Sequence, residues 1–174
     1  QYALDEGLLA RSDAPESILA GALAKKASAG QEIGQAVRES GATVNLPTMI
    51  KRLEDDVLAN TQKGGSLYSG VASKIQGHID DLKAIQEKLG PDVPAGVLHE
   101  MKTKLGKVID WNADKPLAEA LQRAYGIEAG TITKAVKAAG AGEQLASANR
   151  GFGLAADLAK VAKKGAEGEA NRVL

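Results

Sequence analysis

The chain has 174 residues and a mass of 18.0 kDa, which suits one domain or two small ones. Lys plus Arg and Asp plus Glu both number 22, and the resulting zero net charge argues against a protein that binds nucleic acid by broad phosphate neutralisation. The absence of cysteine excludes disulfide scaffolds and thiolate metal sites, and two histidines leave little for metal or acid–base chemistry.

Apolar residues recur at helical spacing along almost the whole chain. The pattern predicts a first helix over 15–40, which Pro15 opens, and a second over 47–60, which Pro47 opens. Residues 41–45 are predicted to connect them. Val44–Leu46 is the one candidate strand and is too short, so no strand is predicted.

The clearest helix is predicted over 66–89, between Gly64-Gly65 and Gly90-Pro91. Its apolar positions follow steps of three and four, as in a heptad repeat, and His78 lies on the same face. This seam is either an oligomerisation surface or a core stripe within one chain, and the second reading is favoured. Its members are Tyr68, Val71, Ile75, Leu82, Ile85 and Leu89.

Three more helices are predicted after Pro94. The first runs to about Trp111, the second from Pro116 to Gly140, and the last covers 142–162. Gly126 and Gly130 weaken the middle one by about 1 kcal/mol each relative to alanine and are expected to mark a kink or a close helix crossing.

The predicted fold class is therefore all-α: an elongated helical bundle of five to six helices with short Gly/Pro-rich connections. The predicted organisation is an N-terminal lead-in over 1–14, a single α-helical domain over 15–162 and a frayed C-terminal tail over 163–174. No stretch approaches the about 18 apolar residues of a spanning helix. The first residues lack a signal-peptide pattern, so we expect no secretion by that route. Because the chain begins with Gln1, we expect it to be part of a longer protein.

The sequence contains no motif that predicts a catalytic, cofactor-binding or metal site. His78 and His99 match no metal-ligand spacing, and both are expected to be structural or surface residues. The acidic pairs within Glu54–Asp56 and Asp80-Asp81 are expected to be solvated, because adjacent helical residues point in different directions. Gly140 and Gly142 lack the remainder of a phosphate loop. We therefore predict a protein that is not an enzyme and binds no cofactor or small-molecule substrate.

The order of elements resembles a helical region of large tailed-phage and prophage virion-associated proteins, of the DNA-ejection or structural type. The similarity covers about 29–162 and is carried by spaced pairs of residues rather than by a ligand motif. The matching residues are Gly30 with Ile33, Val44 with Ile50, Leu98 with Lys102, Leu105, Ile109 and Trp111, and Leu145 with Asn149 and Phe152. The sequence departs from the pattern at Glu100-Met101-Lys102 and at Phe152, where the pattern usually has Leu-Lys and Tyr.

The resemblance implies a structural or assembly module of a virion protein, produced in the bacterial host cytoplasm and located in the virion. Its expected partners are other virion proteins or copies of itself, with no specific nucleic acid. The alternative is a membrane-associating ejection protein that contributes to an envelope conduit, since small residues allow close helix packing in lipid. The resemblance carries no catalytic residue.

Overall fold

The computed structural model describes residues 15–64, 69–111 and 116–170. These residues form six helices and one two-stranded sheet, and the predicted all-α fold class is confirmed. The elements in chain order are α1 (Pro15–Glu39), β1 (Thr43–Asn45), α2 (Leu46–Gly64), α3 (Ser69–Leu89), β2 (Asp92–Pro94), α4 (Ala95–Val108), α5 (Pro116–Ala138) and α6 (Gly142–Ala170).

The chain divides into two compact units, Gln1–Ala36 with Glu143–Leu174, and Val37–Gly142. A single domain over 15–162 stays a prediction. The lead-in over 1–14 lies outside the described residues. Helix α6 continues to Ala170, past the predicted domain end at 162, and 171–174 lie outside the described residues.

In the first unit, α1 and α6 run antiparallel. The Lys26 ammonium lies 5.3 Å from the centroid of the Phe152 ring, while Glu32 and Gln35, farther along α1, share a pocket with the earlier α6 residue Gln144. Each helix buries an alanine at every seventh position, so the backbones can approach closely. These alanines are Ala22, Ala29 and Ala36 on α1, and Ala148, Ala155 and Ala162 on α6.

In the second unit, β1 and β2 pair antiparallel, although both segments were predicted as plain connections. Val44 faces Val93 at the centre of the pair, and both side chains are buried. The flanking backbone bonds are symmetric about this pair: the amide of Leu46 donates to the carbonyl of Pro91, and that of Ala95 to Ala42, each at 2.8 Å. Strands of three residues are too short to show alternation in a sequence, which is why the pattern missed them.

The two strands belong to two similar helix–strand–helix segments. Helices α1 and α3 each end before a glycine with positive φ, Gly41 at 61° and Gly90 at 88°. Such a conformation closes a helix at little steric cost only for glycine. A valine follows three residues later in each segment, and the next helix begins two residues after it. The second unit thus contains the same sequence of helix end, strand and helix start twice, and the valine pair joins the two.

Helix α5 continues unbroken through Gly126 and Gly130, and the expected close helix crossing is absent at both glycines. A kink at this point stays a prediction. A Cβ atom added at either glycine would meet nothing within 4 Å. Both glycines are exposed, whereas the opposite face of the helix is buried and holds it in place. The buried residues of that face are Ala118, Ala120, Leu121, Ala124, Glu128, Ile132 and Val136.

Candidate functional site

The predicted seam on α3 lies largely within the core of the second unit. Ile75 and Leu82 are buried, Ile85 is half-buried, and Leu89 is 52% exposed at the end of the helix. Tyr68 and the side chain of Val71 lie outside the described residues. The fully buried Ile79 continues the inward face between Ile75 and Leu82. Because the central seam residues are covered by their own chain, a surface for partners has to be sought elsewhere.

A buried polar pair joins α3 to α5. The Nε2 atom of His78 forms a hydrogen bond with the Oε1 atom of Glu128. The Glu128 side chain is fully buried, and that of His78 is 11% exposed. The second carboxylate oxygen, Oε2, has no hydrogen-bond partner among the described atoms. Burying a carboxyl group destabilises a fold unless the group has a hydrogen-bonding partner. The hydrogen bond with His78 therefore offsets part of the free-energy cost of burying Glu128.

Sequence analysis expected a structural role for His78 but missed its partner. A signal for Glu128 exists, because it lies seven residues after Leu121 and four before Ile132, on one face of α5. An acid on an otherwise apolar helical face predicts a buried partner on a neighbouring helix.

His78 also lines an open cleft of about 490 Å³ between α3, α4 and α5. Its walls are mainly apolar and its charged side chains are exposed. Glu128 is absent from the described lining, so the cleft meets the buried pair only through the imidazole. The lining residues are Lys74, Gly77, His78, Asp81, Met101, Lys104, Leu105, Val108, Leu117 and Leu121.

The acidic cluster on α2, predicted to be a solvated face, also makes ion pairs between helices. Glu54 pairs with Lys83 of α3 at 2.7 Å, and Asp56 pairs with Arg123 of α5 at 3.2 Å. The hydrogen bond from Lys83 to the Glu54 carboxylate raises the pKa of the ammonium. These partly exposed pairs link α2 to α3 and α5, and each contributes little to stability because solvent screens it.

The second histidine, His99 on α4, is half-buried. Its pKa is lowered from 6.5 to about 4, mainly by burial and also by the nearby positive charges of Lys102 and Arg38, against the opposing effect of Glu100. The imidazole is therefore neutral in the folded chain at neutral pH. The expectation of a surface position was too simple, because the flanking cations and partial burial both disfavour a proton there.

The lowered pKa of His99 predicts a loss of stability in mild acid. In the unfolded chain His99 has its ordinary pKa of 6.5, so the unfolded chain binds a proton more readily than the folded chain does. The contribution of His99 to stability is therefore complete above about pH 6.5 and is lost as the pH falls towards about 4. His99→Gln should remove this contribution. Urea midpoints measured from pH 7 to pH 4 for both proteins should diverge on acidification, with the variant losing less. Parallel curves would contradict the assignment to His99.

Helix α6 carries a second apolar face that the described residues of its unit leave partly exposed. Leu154 is 47% exposed, Val161 is 67% exposed, and Leu158 between them is half-buried. Their spacing of four and three places them on one side of the helix, beside the buried alanines. We call Leu154, Leu158 and Val161 the open stripe. Sequence analysis did not single out these three residues.

Within 15–64, 69–111 and 116–170, no helix combines the length and apolar character needed to cross a membrane. In the same ranges, no group of three or more acidic or histidine side chains is arranged to hold a metal ion.

Comparisons with protein-family models, curated proteins and solved structures give no match to this chain.

Proposed function

We propose that the chain is a non-enzymatic helical structural and assembly module of a phage or prophage virion-associated protein. The observation that carries the assembly role is the open stripe on α6, where two large apolar side chains lie exposed one heptad apart. The virion setting rests on the resemblance of 29–162 to tailed-phage structural proteins.

The physical argument concerns the two faces of α6. One face is already used within its unit by small residues, each of which buries little area. The other presents leucine and valine, which contribute about 1.5–3 kcal/mol each when fully buried and less when already half-covered. A helix with apolar residues on both sides is typical of a position between two neighbours. The open stripe therefore favours a further helix, supplied by a second copy or by another part of the virion protein.

Light scattering after size-exclusion chromatography tests self-association. The wild-type chain should elute as a discrete oligomer above 18.0 kDa, and Leu154→Gln/Val161→Gln should return the mass to 18.0 kDa with its helicity retained. Leu58→Gln/Leu89→Gln removes two equally exposed apolar side chains elsewhere and should keep the oligomer. A monomeric wild type, or a stripe variant of unchanged mass, would sink the proposal that copies meet through this surface.

The alternative proposal is association with a membrane. It is supported by Lys160, Lys163 and Lys164, which lie exposed near the same end of α6 as Val161. Amphipathic helices with lysines beside an apolar face lie in anionic lipid interfaces. Flotation with anionic vesicles separates the two functions: co-flotation that the stripe variant loses would favour the membrane role, and no lipid association would leave assembly ahead.

A further inference from the structure

The cleft between α3, α4 and α5 has the size and lining of a small-ligand site. Its volume of about 490 Å³ lies within the range of about 300–1,000 Å³ typical of such sites. Its apolar wall consists of Met101, Leu105, Val108, Leu117 and Leu121. Val108 is 70% exposed, more than any other large apolar side chain among the described residues. An apolar occupant would remove that exposure.

The charged residues of the cleft favour an anion. Lys74 and Lys104 contribute two positive charges and Asp81 one negative charge, and all three side chains are exposed. The buried Glu128 carboxylate is held behind His78 and does not add a negative charge to the described lining. The described lining of the cleft therefore combines an apolar wall with a formal excess of one positive charge.

We propose that this cleft binds a single-chain anionic amphiphile, such as a medium-length alkyl carboxylate. The alkyl chain lies along Met101, Leu105 and Leu121. The head group lies at the exposed edge, within reach of the Lys74 and Lys104 ammonium groups. The flexible stems of the two lysines cover part of the apolar chain while their charges stay in water. This inference is independent of the open stripe on α6 and of self-association.

The test is a titration with decanoate below the concentration at which it forms micelles. Trp111, the only tryptophan of the sequence, reports binding through its fluorescence. It lies three residues after Val108 and packs edge-on against Tyr125, with the ring centroids 5.2 Å apart. Isothermal titration calorimetry supplies a readout that does not depend on the position of the indole. We expect saturable binding at one site per chain.

Two ligands of the same chain length separate apolar burial from charge recognition. Decanol lacks the charge, and decyltrimethylammonium carries the opposite one. Both should bind at least tenfold more weakly than decanoate. Equal binding of decanol would overturn the role of the lysines, and tighter binding of the cation would assign the cleft to Asp81 instead.

A matched pair of variants locates the site. Lys74→Glu/Lys104→Glu should weaken decanoate at least tenfold and strengthen decyltrimethylammonium. Lys88→Glu/Lys134→Glu makes the same charge change on α3 and α5 at exposed positions outside the described cleft lining, and should leave both affinities within about twofold. Circular dichroism verifies that both variants fold. Non-saturable binding to the wild type, or equal losses in the two variants, would overturn the proposal.

Discussion

Replacing His78 with leucine should destabilise the chain by about 3–5 kcal/mol. The substitution removes the hydrogen-bond partner of Oε1 of Glu128, while Oε2 already has none among the described atoms. Among the described residues, the fully buried carboxyl group of Glu128 would then have no hydrogen-bond partner, and leaving a buried polar group unpaired is costly. Urea unfolding of wild type and His78→Leu measures the loss as a lower midpoint at an unchanged slope.

The matched double variant distinguishes this reason from a simple loss of packing. In His78→Leu/Glu128→Leu the buried charge is gone, and α3 and α5 meet through two apolar side chains. Replacing both members of a buried pair is often neutral or stabilising, so we expect the double variant to recover most of the wild-type midpoint. Additive losses from the two single variants would instead mean that shape, and not charge, dominates this contact.

A surface pair provides the comparison. Lys83→Leu breaks the ion pair with Glu54, in which both side chains are more than 40% exposed. This change should lower the urea midpoint much less than His78→Leu does, because water solvates the remaining carboxylate. If His78→Leu lowers the free energy of unfolding no more than Lys83→Leu does, the hydrogen bond between His78 and Glu128 does not stabilise the fold.

The helices and their positions could be predicted from the sequence because the residues that begin and end a helix act locally. The expected start of α1 at Pro15 and end of α3 at Leu89 both match the structure. Gly90 adopts the positive φ that a residue following a helix often requires, and that requirement is visible in the sequence as a glycine after an apolar repeat. The end of α6 was less visible, because its last turns carry no apolar repeat and the helix nevertheless continues to Ala170.

The parts that sequence analysis missed depend on contacts between distant segments. Val44 and Val93 form a strand pair only because two loops meet, and three residues carry no detectable period of their own. Glu128 is an unremarkable helical acid until His78 lies opposite it. The cleft likewise exists only when three helices are in place, because Lys74 lies on α3 and Lys104 on α4. The hydrophobic pattern of a segment predicts its local structure well. Each of these three features instead depends on contacts between segments that are far apart in the sequence.

The residues of the α3 seam follow one sequence pattern but differ in how deeply the fold buries them. A strict heptad predicts equal burial from Ile75 to Leu89, but the fold buries Ile79 and leaves Leu89 more than half exposed. Neighbouring helices cover the middle of α3, and its last residue lies beside the turn to β2. The seam residues therefore differ in the stability that each one should contribute.

Ile75→Asp should unfold the second unit or bring its melting temperature far below that of the wild type. Ile75 is buried, so the change removes an apolar side chain, which costs about 2–5 kcal/mol when truncated, and places a carboxylate in the core without a partner. The sum approaches the whole stability of a small domain, about 5–15 kcal/mol. Thermal unfolding followed by circular dichroism measures the effect.

Two control variants separate the effect of a buried charge at position 75 from the effects of a smaller side chain and of a charge elsewhere on α3. Ile75→Val keeps an apolar side chain and should cost only about 0.5–1.5 kcal/mol. Leu89→Asp introduces the same charge at an exposed position of the same helix and should cost less than about 1 kcal/mol, mainly through an unfavourable negative charge at the helix end. An Ile75→Asp variant that keeps both the wild-type melting temperature and the wild-type mass would show that α3 packs through another face.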